Sequence, residues 1–180
     1  MLQDRPFNVV IVCHANVARS VAAACLLADA TDERGIRLAL RSAGTHATEG
    51  QPASLRTAAA LMKVTGTGHS IGSHRAHQLA ESDVMWADLV IAMEDSQVRF
   101  LRRLYADAAR HVATLSVLAS QLPADGRRLA ERVDSLDLDR IEGSGDGDVE
   151  DPAGGDDDDY ERVMEVLVAR CAELAHRLSG

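Results

Sequence analysis

Aromatic side chains are nearly absent from this 180-residue chain: phenylalanine, tyrosine and tryptophan together make up 3% of it. The core must therefore rest on Ala, Leu, Val and Ile, and few rings remain to stack on a flat substrate. Cysteine is scarce as well. The three present, Cys13, Cys25 and Cys171, are too few and odd in number for a disulfide scaffold. None forms a CxxC pair, so a zinc site has no obvious ligands. Positive charge is outweighed, with 19 Lys and Arg against 28 Asp and Glu, a formal net charge of −9. A chain so acidic repels nucleic acid and anionic membrane, and neither is expected as a partner, although a local basic pocket can still hold an anion. No apolar run reaches the roughly 18 residues of a membrane span. No charged N-terminal region leads into a long apolar stretch with a cleavage site. These absences point to a cytoplasmic protein. What is present, 46% hydrophobic and 26% charged residues, suits a single globular domain over residues 1–180.

The chain alternates apolar runs with helical patterns. Residues 8–12 are a β-branched run suited to a strand buried on both faces. A polar turn over 14–20 and an alanine-rich helix over 21–30, closing near Gly35, follow it. A second strand is expected over 36–40, with Ser42 to Thr45 as a turn. A helix is expected over 52–64, with Pro52 in its first turn and Gly66 at its end. Residues 65–73 read as a loop and 75–79 as the start of a short helix. A third strand is expected at 88–93, then a helix from an N-capping Ser96 toward Tyr105. Residues 111–115 suit a fourth strand, and an extra helix is expected around 123–126. Residues 142–159, rich in Gly and Asp, read as an acidic, mobile loop with nothing to pack a core. Tyr160 to Leu178 is amphipathic, with Val163, Leu167, Cys171, Leu174 and Leu178 on one stripe. Strands alternating with helices argue for an α/β fold whose ligands bind beyond the carboxyl ends of the strands.

The segment Cys13-His14-Ala15-Asn16-Val17-Ala18-Arg19-Ser20 sits at such an end. A cysteine and an arginine flanking five residues, between a strand and a helix, have the spacing of an anion nest. Five residues can curl so that successive backbone N–H groups point inward, and the following helix adds its positive end. Arg19 can fork onto two phosphoryl oxygens, a geometry lysine lacks. The surrounding positive potential favours the Cys13 thiolate, a nucleophile able to attack phosphorus. The Ser20 hydroxyl can hydrogen-bond the sulfur and steady it as a leaving group. Asn16 suits a left-handed backbone position and can brace the loop. His14 is expected to point outward and line the cleft mouth. His74 and His77 could pair on a metal, but they lack a third ligand at suitable spacing, so no metal or other cofactor is expected.

Val12 to Ser20 resembles the V-C-x-G-N-x-C-R-S-P signature of low-molecular-weight protein tyrosine phosphatases. The resemblance continues through Ser42-Ala43-Gly44-Thr45, His74 to Leu79 and Asp88 to Leu101, and ends at Asp151-Pro152, spanning most of the chain in order. It implies a three-layer α/β/α fold around a four-stranded parallel sheet. It also implies Cys13 as nucleophile, Arg19 as transition-state clamp and Asp151 as general acid. The loop residues His14 to Ala18 and Ser20 would bind the phosphoryl group, with Ser42 and His74 supporting the loop. The substrate would be a phosphotyrosine protein or a small phosphomonoester. Three departures stand out. Ala15 replaces the loop glycine and would be strained if that position needs positive φ. Ala18 replaces the second loop cysteine. Ala153 and Gly154 stand where the family usually has an aromatic, so a wall for the phosphotyrosine ring is missing. The carboxylates around Asp151 are expected to repel an anionic substrate. Two other functions share these residues. An arsenate reductase would need relay cysteines, absent between Cys25 and Cys171, or an external thiol. A non-catalytic phosphate-binding regulatory module would tolerate the departures.

Overall fold

In a computed structural model, residues 5–67 and 71–180 are described. Part of the loop read over 65–73, namely 68–70, lies outside them. Four parallel strands in the order β2-β1-β3-β4 form the sheet. They are β1 (Phe7–Cys13), β2 (Leu38–Gly44), β3 (Leu89–Ala92) and β4 (Val112–Thr114). Helices cover both faces, giving the three-layer α/β/α arrangement. Alternation along β1 decides which residue meets which layer. Val9, Ile11 and Cys13 join the larger core beneath α1 (Arg19–Asp32), while Val10 and Val12 join a smaller core. Helix α2 (Leu55–Thr65) follows β2. Next come α3 (Glu81–Trp86) and α4 (Asp95–Leu104), the latter packing through Val98 and Leu101 on the smaller core. Helices α5 (Leu115–Gln121) and α6 (Leu129–Asp134) precede α7 (Asp157–Leu178), which packs against α1, α2 and α5.

The apolar runs and the α7 stripe, all five of whose residues are buried, fall where the sequence puts them. Several boundaries differ, each because a polar contact overrides the local pattern. Strand β2 is Leu38–Gly44 rather than 36–40, because it stays in register with β1 up to the pair Cys13 and Gly44. Ser42 to Gly44 is therefore strand, not turn. Pro52 is outside α2. Ser54 caps that helix by accepting from Thr57 N, and Pro52 instead bridges to Arg75. Residues 75–79 are extended, not helical: Gly44 N donates to His77 O and Leu79 N to Gly44 O, so this stretch runs along the end of β2. Ser96 lies inside the first turn of α4, whose cap is Glu94. Around 123–126 there is a turn, with Gly126 at φ 76°, between α5 and α6.

The acidic segment is also more ordered in its contacts than its composition suggests. Val149 is buried and its N–H donates to Met93 O at 2.8 Å. Helix α7 starts at Asp157, three residues before Tyr160. Asp156 caps it by accepting from Asp159 N, and Asp157 to Asp159 sit in its first turn. Negative charge there complements the positive end of the helix, which makes an aspartate run a good helix start. Arg128, Leu129 and Ala130 border a cavity with Phe7 and Asp88, at the opposite, amino ends of the strands.

Candidate active site

In the strand order 2-1-3-4, β1 leads to a neighbour on one side while β3 lies on the other, so the crevice opens where β1 and β3 end. Cys13 closes β1, and Glu94 follows β3 after Met93. Between Cys13 and α1 the loop is held from outside by its carbonyls. Thr45 N donates to Cys13 O (2.9 Å), His46 N to His14 O (2.8 Å) and Ser54 N to Val17 O (2.8 Å). His74 Nε2 donates to Asn16 O at 2.8 Å. A peptide whose C=O turns outward presents its N–H inward. Four anchored carbonyls thus fix an anion nest before any ligand arrives.

Asn16 is the hinge of this loop. Its φ is 54°, a left-handed value asparagine tolerates. The positive φ falls on Asn16 and not on Ala15, so the alanine that replaces the family glycine sits without backbone strain. The buried Asn16 side chain is fully used: Nδ2 donates to Ser20 Oγ (2.9 Å) and Ser42 Oγ (3.0 Å), and Oδ1 accepts from His77 N (2.9 Å). Since Ser20 Oγ accepts from Asn16, its own proton is free to face Cys13 Sγ, 3.0 Å away. Ser42 and His74 both hydrogen-bond Asn16. His77 lies behind the loop. Its imidazole is hydrogen-bonded to Asp83 at 2.8 Å, which raises its pKa above the usual histidine range, against a smaller opposing effect of burial.

Gly44 faces the loop so closely that a Cβ there would lie 2.6 Å from His14 O and 3.0 Å from Ala15 C. Backbone cannot yield as a side-chain tip can. Gly44→Ala is expected to displace the nest and weaken inorganic phosphate inhibition by about tenfold or more, read from competitive inhibition constants. Unchanged constants would show that the loop tolerates the shift.

Arg19 is 1% exposed, and its guanidinium points into the crevice. It pairs with the Glu94 carboxylate, donates to Val149 O at 2.9 Å and meets Asp151 Oδ2 at 2.5 Å. The candidate phosphate clamp and the candidate proton donor thus hold each other. The neighbours of Asp151 in sequence are occupied elsewhere. Asp148 accepts from Asp95 N, Asp157 pairs with Arg56, and Asp159 pairs with Arg162. His14 lines a cavity beside the loop. Its ring stacks on His46 at 4.7 Å, with Phe100 6.0 Å beyond His46. These residues and Arg103 border a cavity of about 310 Å³ beside the loop.

Sequence reasoning missed Glu94, Gly44 and His46. Glu94 carried a signal, a carboxylate directly after a buried strand. Gly44 and His46 carried none, since only the fold brings them to the loop. Cys25 and Cys171 are poor relay thiols: burial raises the Cys25 pKa and pushes that of Cys171 up to about 12. Among the described residues no cluster of three or more His, Cys, Asp or Glu could hold a metal. No helix among them is long and apolar enough to cross a membrane.

Comparison with known proteins gives a consistent answer. The family model for low molecular weight phosphotyrosine protein phosphatase matches residues 8–131. Low molecular weight protein-tyrosine phosphatase A of Mycobacterium bovis is 30% identical over 164 residues, 90% of this chain and 85% of the relative. A protein-arginine-phosphatase of Geobacillus stearothermophilus is 28% identical, over 93% of this chain and 95% of its own length. Among solved structures, a low molecular weight protein tyrosine phosphatase from T. tengcongensis superposes with a TM-score of 0.74 at 30% identity, covering 94% of this chain and 98% of that one.

Proposed function

The chain belongs to the low molecular weight phosphotyrosine protein phosphatase family, and from that premise we propose that it hydrolyses protein phosphotyrosine through a phosphocysteine at Cys13. As a member of that family it is a cysteine-dependent phosphatase. The observation that supports the residue roles is the buried Arg19 guanidinium, paired with Asp151, next to a loop four of whose carbonyls are anchored by neighbouring segments. The nest and Arg19 bind the phosphoryl oxygens and stabilise the charge of the transition state. The Cys13 thiolate attacks phosphorus as the bond to the leaving oxygen breaks. Asp151 gives that oxygen its proton. The resulting carboxylate then takes a proton from the water that attacks phosphocysteine, and Ser20 donates to the departing sulfur. Nothing in this sequence of steps requires a metal.

His14 and His46 supply a flat, stacked surface at the cleft mouth, and this supports an aromatic leaving group despite the missing ring after Pro152. The same residues 142–159 that fold back to the crevice carry the acid, within one domain. We place the protein in the cytoplasm, in keeping with its three free thiols. The test is hydrolysis of p-nitrophenyl phosphate with chelator present, then of a phosphotyrosine and a phosphoarginine peptide of the same sequence. Release of phosphate from the phosphotyrosine peptide is the expected result. Preference for phosphoarginine would move the substrate toward that of the Geobacillus relative, and an inactive protein that still binds phosphate would leave a binding module.

A further inference from the structure

The segment from Asp151 to the start of α7 is made of small residues. After the buried Pro152 come Ala153, Gly154 and Gly155, with Gly154 at φ 87°. Glycines in sequence carry large conformational entropy and offer no side chain to pack. Arg19 holds Asp151 itself, and the stretch beyond it is held from α2. Arg56, in the first turn of α2, donates through Nη1 to Gly155 O at 2.8 Å and through Nε to Asp157 Oδ1 at 2.8 Å. Its guanidinium also lies over the Tyr160 ring, 5.1 Å from the centroid. The same end of α2 grips the phosphate loop, because Ser54 N donates to Val17 O.

We infer that Arg56 is a positioning residue that sets where Asp151 stands relative to the phosphate loop. One helix end thereby holds the nucleophile's loop and the acid's loop together. The planar fork suits this task, since it reaches a carbonyl and a carboxylate at once. The side chain is about half exposed, so as an ion pair it adds little to stability. Its effect belongs in catalysis, where a small misplacement of an acid is costly. The inference rests on Asp151 being the proton donor.

The experiment compares kcat/KM on p-nitrophenyl phosphate and phenyl phosphate, substrates of similar size. Phenol is the weaker acid, so its departure depends more on the proton. Arg56→Ala is expected to lose about threefold on the first and about 30-fold on the second, with inhibition by inorganic phosphate unchanged and partial recovery in Arg56→Lys. In an Asp151→Asn background the Arg56→Ala effect should vanish, because a residue acting through another cannot act twice. Amide exchange at residues 153–157 should quicken in Arg56→Ala. Equal losses on both substrates, additive with Asp151→Asn, would overturn the inference and mark Arg56 as a general support. So would unchanged amide exchange. If Asp151→Asn itself shows no preference for the better leaving group, the proton-donor reading falls and takes the positioning role with it. That result differs from a failure of Arg56 alone, in which Asp151→Asn discriminates and Arg56→Ala does not.

Discussion

Cys13→Ser is expected to reduce hydrolysis of p-nitrophenyl phosphate on the order of 10⁴-fold or more while leaving phosphate binding in place. The two halves of this result have separate origins. Turnover depends on a sulfur that attacks phosphorus and then leaves, and a serine hydroxyl does neither well at neutral pH. Binding depends on the nest, which is held by Thr45, His46, Ser54, His74 and Asn16, and on Arg19, which is held by Glu94, Val149 and Asp151, and not on the thiol. Steady-state kinetics and phosphate binding measured by calorimetry would separate them. If phosphate binding were lost too, the loop would depend on the cysteine for its shape, and the anchoring carbonyls would not be sufficient.

Asp151→Asn is expected to lower kcat/KM on phenyl phosphate by about 10²–10³-fold and to tighten phosphate inhibition by about tenfold. The first effect follows from losing the acid, and from losing the base that activates water in the second step. The second effect follows from geometry. Asp151 Oδ2 accepts from Arg19 Nη2 at 2.5 Å, so an incoming phosphoryl group must compete with a carboxylate. Asparagine keeps the shape without the charge and competes less. Slower turnover with weaker phosphate binding would show that the Arg19 contact to Asp151 does not compete with ligand.

The loop from Cys13 to Ser20 is legible because it is local. Cys13, Asn16, Arg19 and Ser20 lie within eight consecutive residues, and the strand before them and helix after them are written in the same stretch. Strand cores were legible for a similar reason, since each is a short β-branched run. What the sequence hid depends on contacts between distant segments. The extended path of 75–79 exists because Gly44 pairs with it, and nothing in His74 to Leu79 announces that partner. Glu94 reaches Arg19 across 75 residues, and the chain does not state their distance. The start of α7 was misplaced because a run of aspartates looks like loop by composition. At a helix N-terminus the same charges are stabilising. The strain expected at Ala15 was conditional on a positive φ there, and Asn16, already suited to the left-handed region, bears it instead.

The distribution of the three thiols has a consequence for how such an enzyme meets peroxide. Cys13 is free, its loop neighbour is Ala18, and Cys171 is fully buried on α7 with its proton held tightly. A sulfenic acid formed on Cys13 has no adjacent thiol in the loop to trap it as a disulfide. Without that refuge, oxidation proceeds toward the sulfinic state, from which ordinary reductants do not return. Peroxide would thus inactivate this chain molecule by molecule, and recovery of activity would wait on new synthesis.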